Sequence, residues 1–341
     1  MTDIFIKSFN RPYYLDRCLT SIYDNVSGDY IIKVLDDGTP KKYLDKIKTK
    51  YPGINIITSE NYTKKISAIN DNLAEGIEIN GFEIPTKLWI EEAKKASPYF
   101  IMTEDDVWFS EKINLNELVQ ESEKLEIQLL KLGWLGNQKD DINIEINAIS
   151  EKINATIPKG LILKNQKFME AFFFNKYKLF TILYKIGKVD NYTKRKYWTL
   201  NSILMGLYKK EYWLEIWKNM HGRVDEKKQL INASVYYKKH QENKNFVSRV
   251  KSEVMKTTFQ SSSTNSYHKY GNDFDVNMFN HQINESWYNG NFDALQNYPK
   301  DFSIDYFEQL LDNRINKEEF KNWVNNFRKH YKDIGCDVEN L

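Results

Sequence analysis

The sequence predicts an α/β fold in which a mixed, mainly parallel sheet is flanked by helices and followed by a C-terminal helical extension. Two observations predict it. In residues 1–106, short apolar runs alternate with segments whose apolar residues recur at helical spacing. From residue 276 onward only helical patterns remain, marked by Phe279, Ile283 and Trp287. Alternating strands and helices are typical of parallel strands joined by right-handed crossovers.

The first four strands share short clusters of isoleucine, valine, leucine and aromatic residues. They are predicted at residues 4–6, 30–35, 54–57 and 99–102. Pro12 suits the first turn of the helix that follows the first strand, and Asn10 is a suitable capping residue for it. The next helices are predicted around residues 44–47, 66–73 and 88–96.

The second half of the sequence gives a weaker pattern. It predicts a helix over residues 115–132 and a strand and turn at 132–136. A strand and the start of a helix are predicted within residues 200–217, and a further helix at 226–239. Residues 168–184 fit either a strand or a helix, and the polar run 260–266 predicts a flexible loop.

Composition narrows the class of protein. The chain has 341 residues and a formal net charge of +2, which is too little for a general nucleic-acid binder. Cys18 and Cys336 are distant in sequence and form no zinc-type spacing, which favours a reducing compartment. The sequence contains neither a signal-peptide pattern nor an apolar run long enough to span a membrane. We therefore expect a cytoplasmic protein.

Three polar motifs follow predicted strands, at residues 8–12, 36–38 and 104–106. In open α/β sheets, ligands bind beyond the carboxyl ends of the strands. Parallel strands would bring these three motifs to one edge of the sheet although they are far apart in sequence. The sequence thus predicts one binding site built from all three.

The acidic motif is Glu104-Asp105-Asp106. Because side chains alternate along a strand, Glu104 and Asp106 should point to one side and Asp105 to the other. Two carboxylates facing a cleft suit Mn²⁺ or Mg²⁺, which can bridge to phosphate oxygens. The alternative is a solvated acidic turn.

At these motifs the sequence resembles GT-A glycosyltransferases, especially their family 2. The matching segments are Ser8-Phe9-Asn10-Arg11-Pro12, Asp36-Asp37-Gly38-Thr39 and Glu104-Asp105-Asp106, the last in place of the family's DxD motif. The resemblance implies a Rossmann-like fold that binds a nucleotide-diphosphate sugar, with a UDP-sugar as the expected donor. It also divides the chain into a donor half (1–110), an acceptor half (111–260), and a flexible loop with a helical extension (261–341).

The resemblance also assigns roles to individual residues. Asp36 and Asp37 would contact the base or ribose, and Asp106 would be the direct metal ligand. Glu104 departs from the family's first aspartate but would share the metal. The other donor-binding candidates are Ser8, Asn10, Arg11 and Asp105.

Lys65 follows the third predicted strand and could neutralise diphosphate charge. The alternative is a lysine on a solvated helix face. His268 follows the serine-rich loop and is a candidate for completing a manganese site. A single histidine is also often structural.

An inverting transferase needs a carboxylate that accepts the proton of the acceptor hydroxyl. Asp225 and Glu226 lie at the predicted start of the helix 226–239, after the segment expected to form an acceptor-side strand. Either is a candidate base. The alternative is a capping acid, which the start of a helix also favours.

The expected partners are a nucleotide-sugar donor and a saccharide or lipid-linked saccharide acceptor, without nucleic acid. The basic segments 185–196 and 238–256 could touch anionic lipid headgroups as a peripheral membrane contact, or be solvated surface. The aromatic run 168–174, with Tyr177, Phe180 and Tyr184, is interpreted as core.

Two other functions remain open. One is a non-catalytic protein that binds carbohydrate or nucleotide sugar with the same fold. The other is a sugar-nucleotide pyrophosphorylase, although that chemistry favours a glycine-rich loop and residues 8–15 contain no glycine. A dehydrogenase is disfavoured because no G-x-G-x-x-G motif follows the first strand.

Overall fold

The computed structural model describes residues 1–77, 79, 82–137, 142–263 and 274–338. The strands are β1 (Thr2–Ser8), β2 (Val26–Ser27), β3 (Tyr30–Asp36), β4 (Asn55–Thr58), β5 (Tyr99–Glu104), β6 (Val107–Phe109), β7 (Ile113–Asn114), β8 (Leu129–Lys131), β9 (Ile144–Ala148), β10 (Ile153–Pro158), β11 (Gly206–Lys209), β12 (Val247–Val250) and β13 (Met255–Thr257).

The helices are α1 (Pro12–Asn25), α2 (Lys41–Lys50), α3 (Tyr62–Glu75), α4 (Thr86–Lys95), α5 (Leu115–Lys124), α6 (Gln166–Phe173), α7 (Leu179–Lys185), α8 (Lys210–Ile216), α9 (Glu226–Lys239), α10 (Val276–Tyr288), α11 (Ile304–Leu310) and α12 (Lys317–Asp333). Short 3-10 helices occur at Lys176–Lys178 and Arg195–Leu200.

The described residues form one large sheet of nine strands in the order β4-β3-β1-β5-β11-β8-β12-β10-β9. The pairs β4-β3, β3-β1, β1-β5 and β8-β12 are parallel. Strand β11 is antiparallel to both its neighbours, and β10 likewise. All the strands except β11 and β10 therefore run in one direction. This confirms the predicted mixed, mainly parallel sheet.

The register aligns the ends of the first strands. Ser8 lies opposite Asp36 on β3, and Lys7 lies opposite Glu104 on β5. The three polar motifs therefore begin at the same edge of the sheet, as parallel strands require. Each polar motif follows directly from a buried strand, so its backbone position is fixed by the hydrogen-bond ladder.

Apolar clusters cover both faces of the sheet. On one face, Phe5 and Phe100 pack edge to face at 5.4 Å and Trp213 of α8 packs against Phe100 at 5.7 Å. On the other face, Ile4 and Ile6 belong to a larger cluster that also contains α1 and the C-terminal helices. The two faces alternate along β1, as the period of a strand demands.

The C-terminal helical extension, which was predicted, packs on α1 and shares its core. Tyr14 donates a hydrogen bond to Asp301 at 3.0 Å, and Arg17 lies over the Trp108 and Phe302 rings at 4.5 Å. Arg17 is fully buried and donates to backbone carbonyls of the extension, including Gln296 at 3.1 Å. These contacts tie the end of the chain to its first helix.

Some sequence predictions were wrong in detail. The helix predicted over residues 115–132 ends at Lys124, because Glu126 takes a left-handed conformation (φ 56°) and the chain then enters β8. Residues 132–136 form a loop and turn without a strand. Of the loop predicted at residues 260–266, Gln260, Ser261 and Ser262 are buried, and residues 264–266 lie outside the described residues.

The first helix is also capped differently from the prediction. Pro12 does occupy its first turn, but the N-cap position is Arg11 and no side chain caps it. Asn10 takes a left-handed conformation (φ 51°), which turns its side chain toward α10. Asparagine tolerates this conformation better than most residues.

The aromatic run is core only in part. Met169, Phe172 and Phe173 are buried against Leu230 and Ile231 of α9, which confirms the interpretation for them. Two further aromatic side chains of the run, Tyr177 and Tyr184, are exposed, so the interpretation was wrong there.

Candidate active site

A cavity of about 550 Å³ opens at the carboxyl end of β1 and β5. Arg11, Glu104 and Asp106 line it, and so does Glu226 at the start of α9. Residues from four other parts of the chain complete the lining: the segments 131–137, 195–205 and 257–263, and the end of α12 with the residues just after it. We refer to these four segments together with Glu226 as the dispersed lining.

The acidic motif alternates as the sequence predicts. Glu104 and Asp106 line the cavity, whereas Asp105 is almost completely buried. Asp105 accepts a hydrogen bond from the Phe9 backbone N–H at 3.0 Å and an ion pair from Arg11 at 2.5 Å. Asp105 therefore ties the first strand end to the third and does not face the cavity.

Arg11 bridges two of the acids. Its second terminal nitrogen bonds Asp106 Oδ2 at 2.9 Å. Burial works against its positive charge, but the charges of Asp105 and Asp106 outweigh burial and raise the pKa of Arg11 above its usual range. Burial raises the pKa of both carboxyls, and Arg11 opposes that shift. We call Lys7, Arg11, Glu104, Asp105 and Asp106 the strand-end cluster.

The strand-end cluster keeps oxygen atoms that could serve a cation. Lys7 donates to Glu104 Oε1 at 2.5 Å, and Asp106 Oδ2 is taken by Arg11. Asp106 Oδ1 is buried and has no hydrogen-bond partner among the residues that the structure describes. Over the residues that the structure describes, no group of three His, Cys, Asp or Glu side chains is arranged to hold a metal. A cation here would need phosphate or water oxygens as additional ligands, which suits Mg²⁺ or Mn²⁺.

Asp36 organises its own turn. Its Oδ1 accepts from the backbone N–H groups of Gly38 at 3.0 Å and Thr39 at 2.8 Å, and its Oδ2 accepts from Thr39 Oγ1 at 2.6 Å. Burial raises the pKa of Asp36 to about 6, although these hydrogen bonds favour the ionised form. Thr39 Oγ1 in turn accepts from the Asn10 backbone N–H at 2.8 Å, which links the first two motifs.

Asp37 and Lys65 form a buried ion pair beside the same turn. Lys65 also donates to the carbonyl of Glu83 at 2.8 Å, so it is not on a solvated helix face. Burial raises the pKa of Asp37, and the hydrogen bond from Lys65 opposes that shift. Phe9 packs on Gly38, where an added Cβ would lie 2.8 Å from the Phe9 ring. The absence of a side chain at residue 38 therefore allows this close approach.

The remaining predicted donor-binding residues lie deeper. Ser8 is buried at the end of β1, beside Asp36. Asn10 is buried and accepts hydrogen bonds from Asn284 Nδ2 through its carbonyl at 3.0 Å and its side-chain oxygen at 3.1 Å. The cavity lining includes Arg11 but not Ser8, Asn10, Asp36, Asp37 or Lys65, all of which the structure describes.

The structure separates the two candidate bases. Asp225 is the N-cap of α9 and accepts from the Lys228 backbone N–H at 3.0 Å. Glu226 is the first residue of the helix, is exposed, and lines the cavity together with Glu104 and Asp106. The two acids are adjacent in sequence, but only Glu226 is placed to meet a molecule in the cavity.

His268 lies outside the described residues. Among the described residues, His330 on α12 lines the cavity, and the sequence gave no reason to single it out. Trp134, Trp198 and Tyr331 also line it. No local motif marks these residues, because they come from separate segments that only the folded chain brings together.

Lys131 and Arg249 extend the site on neighbouring strands. They are register partners on β8 and β12, and both line a small recess that shares Trp134 and Trp198 with the main cavity. The Arg249 guanidinium lies 4.5 Å from the centre of the Trp134 ring. This end of the site therefore combines flat aromatic surfaces with positive charge.

No family model and no curated protein matches the chain. It is similar to solved structures at low identity. One is TarS 1-349 from S. aureus in complex with UDP-GlcNAc, at 12% identity and a TM-score of 0.44, covering 98% of this chain and 82% of that one. Another is glucosyl-3-phosphoglycerate synthase from Mycobacterium tuberculosis with Mn²⁺, UDP-glucose and phosphoglyceric acid, at 10% identity and a TM-score of 0.36, covering 86% and 81%.

A third is the mannosyltransferase PcManGT from Pyrobaculum calidifontis in complex with GDP-Man and Mn²⁺. It is 9% identical, with a TM-score of 0.37, and the match covers 97% of this chain and 74% of that one. Similarities as distant as these do not transfer a function. The functional conclusion therefore rests on the geometry of the site.

Proposed function

We propose that this protein is a GT-A glycosyltransferase that moves a sugar from a nucleotide-diphosphate sugar to a saccharide or lipid-linked saccharide. One observation carries the proposal: Glu104 and Asp106 at the end of β5 line the same cavity as Glu226 at the start of α9. A cavity of about 550 Å³ is in the range typical of small-molecule sites. Glu104 and Asp106 would hold a cation that binds the leaving diphosphate, and Glu226 would be a separate carboxylate for the acceptor.

The donor is proposed to bind at the carboxyl ends of β1, β3 and β5, with a UDP-sugar as the expected molecule. Asp106 and Glu104 are the proposed ligands of Mn²⁺ or Mg²⁺, because Asp106 Oδ1 is buried and no described residue forms a hydrogen bond with it. The cation would neutralise charge on the departing nucleoside diphosphate. Phe9, Asp37 and Lys65 lie beside this edge and are proposed to form the nucleoside end of the site.

The acceptor is proposed to lie against the dispersed lining. Glu226 would accept the proton of the acceptor hydroxyl as that oxygen attacks the anomeric carbon. The bond from the anomeric carbon to the diphosphate oxygen then breaks, and the configuration inverts. Trp134 and Trp198 offer flat surfaces for sugar rings. Asp225 is assigned to helix capping instead of catalysis, because its side chain already accepts a backbone hydrogen bond.

A reducing compartment such as the cytoplasm suits the proposal. Cys18 and Cys336 are both buried. Burial raises the pKa of the Cys18 thiol well above its usual range, so this thiol is not activated for disulfide exchange.

The proposal is tested by thermal shift with a panel of nucleoside diphosphates and their sugars, each with and without Mn²⁺. We expect one nucleotide to raise the melting temperature, and more so with Mn²⁺. A second assay measures hydrolysis of that nucleotide sugar. Turnover supports an enzyme, whereas binding without turnover supports a non-catalytic carbohydrate-binding protein. If no nucleotide shifts the melting temperature, the proposal is wrong.

A further inference from the structure

Residues 174–196, which we call the α7 segment, concentrate positive charge. They contain seven Lys or Arg residues and one Asp, a formal charge of +6. The whole chain carries +2, so everything outside this segment sums to −4. Lys178, Lys185 and Lys188 are exposed. The basic surface is therefore local and does not reflect the average composition.

The α7 segment also exposes large apolar side chains. Tyr177 is 91% exposed, Tyr192 is 70% and Ile186 is 61%. Ile182, Tyr184 and Phe174 are exposed as well. Clustered exposed apolar side chains on one segment of a soluble domain usually mark an interaction site.

Helix α7 divides these side chains between two faces. Leu179, Phe180 and Leu183 pack against the buried cluster that α6 and α9 form. Ile182 lies between them in sequence but on the outer face, and Ile186 follows four residues later on the same face. The outer face is thus apolar in the middle and has lysines around it.

The backbone before α7 is unusual. Asn175, Tyr177 and Lys178 all take left-handed conformations, with φ between 52° and 56°. For Tyr and Lys such conformations cost roughly 1–2 kcal/mol each. This turn holds the Tyr177 ring out of the protein, where no described core residue contacts it. Strain of this kind often accompanies a functional surface.

We propose that the outer face of the α7 segment binds the surface of a membrane that contains anionic lipids. Lysines would meet the headgroups, while Tyr177, Ile182 and Ile186 enter the boundary between headgroups and acyl chains. No helix among the described residues is long and apolar enough to cross a membrane, so the contact would be peripheral. This inference does not depend on the proposed function.

Other partners fit the observations less well. A second copy of this chain that docks symmetrically, with the same face on both copies, would bring two surfaces of like charge together. A nucleic acid would pair with the positive charge, but it would not explain the exposed isoleucines. Proteins that bind single-stranded nucleic acids contact the bases by aromatic stacking. A lipid surface uses both the charge and the aliphatic side chains.

The second basic segment of the sequence provides a contrast. Residues 238–256, all of which the structure describes, include exposed Lys238 and Lys239 but expose no large apolar side chain. They also include Glu242 and Glu253. Residues 238–256 thus present positive charge alone, whereas the α7 segment combines positive charge with exposed apolar side chains.

The position of the α7 segment links the proposed membrane contact to the cavity. Its last residues run into the 3-10 helix Arg195–Leu200, and Arg195 and Trp198 line the cavity. A membrane bound to the outer face would therefore lie near one part of the dispersed lining.

The test is sedimentation of the full chain with phosphatidylcholine vesicles, with and without phosphatidylglycerol. We expect binding only to the anionic vesicles, weakened by salt. Because each lysine near such a surface contributes about fivefold in affinity, K185E/K188E should lower the partition coefficient about thirtyfold or more. I182S/I186S should lower it about tenfold. K238E/K239E, with the same charge change, should lower it about threefold or less.

Three results would overturn the inference. The first is equal binding to vesicles with and without phosphatidylglycerol. The second is an equal loss in K238E/K239E and K185E/K188E, which would show a non-specific charge effect. The third is a dimer in light scattering that I182S/I186S dissociates, which would assign the face to a second copy. Melting temperatures establish folding, and the charge pair carries the test if the isoleucine pair is destabilised.

Discussion

In the strand-end cluster the charged groups are paired, whereas the dispersed lining combines buried, half-buried and exposed side chains from distant parts of the chain. Arg11 holds Asp105 and Asp106, and Lys7 holds Glu104. Glu226, by contrast, is exposed at the first turn of α9. The strand ends fix the first group through the sheet register, but the second group depends on how helices and loops pack.

This difference indicates which part of the site is preorganised. Charges held at the ends of buried strands need little rearrangement when a charged molecule binds. The dispersed lining includes the last helix, α12, so its shape depends on contacts made across the whole chain. We therefore expect substitutions in the strand-end cluster to affect donor binding, stability or both, and substitution of the exposed Glu226 in the dispersed lining to affect transfer alone.

The largest effect is expected for Asp106→Asn. This substitution replaces the charged carboxylate proposed to hold the cation with a neutral amide, so turnover should fall by about a thousandfold or more. The melting temperature should stay close to that of the wild type, because Arg11 keeps its pair with Asp105. Steady-state kinetics with the donor found by thermal shift provide the measurement. Unchanged turnover would remove the acidic motif from the mechanism.

The next largest effect on turnover is expected for Glu226→Gln. Loss of a general base costs about 100- to 10,000-fold in kcat, while donor affinity should not change. Asp225→Asn is the matched control, since asparagine caps a helix about as well as aspartate. Its kcat should stay within about twofold of the wild type. Equal losses in both variants would contradict the separation of the two acids.

Arg11→Gln should destabilise the protein. The substitution leaves the Asp105 and Asp106 carboxylates buried without the guanidinium that pairs with them, which costs about 3–5 kcal/mol in the free energy of unfolding. Lys7→Gln provides a comparison, because Glu104 is more exposed than Asp105 and the loss should be about 1 kcal/mol. Urea denaturation measures both. A similar cost for the two variants would mean that the cluster is not organised around Arg11.

The last effect concerns pH, and it is expected to be smaller than the cost of Arg11→Gln. The pKa of Asp36 is about 6 in the folded chain and 3.8 ordinarily, so stability from its protonated form is present below about pH 4 and is lost as pH rises to about 6. Asp36→Asn does not titrate, so the wild type should lose up to about 3 kcal/mol relative to this variant between pH 4 and 7. Melting curves across this range measure it. If the stability difference between the wild type and Asp36→Asn stays constant, or changes in favour of the wild type as pH rises, the raised pKa of Asp36 is contradicted.

Much of the strand-end cluster could be predicted from the sequence. Periodicity located β1, β3, β4 and β5, and parallel strands end at one edge, so the polar residues after them had to be close. Alternation along β5 also placed Glu104 and Asp106 on the side away from Asp105, as the structure has them. These features follow from local rules that a short segment obeys by itself.

The dispersed lining could not be predicted in the same way. His330 and Tyr331 reach the cavity because α12 packs against the rest of the core, a contact between residues far apart in sequence. The sequence did predict the bounds of α9, residues 226–239, but those bounds do not tell which of Asp225 and Glu226 faces the cavity. That depends on how α9 packs against the other segments that line the cavity.

The most direct test of the account is calorimetric titration of a nucleoside diphosphate, with and without Mn²⁺, into wild type, Asp106→Asn and Glu226→Gln. The account predicts Mn²⁺-dependent binding that Asp106→Asn loses and Glu226→Gln keeps, because only Asp106 belongs to the strand-end cluster. Binding that is equal in all three proteins, or no binding of any nucleoside diphosphate to the wild type, would contradict it.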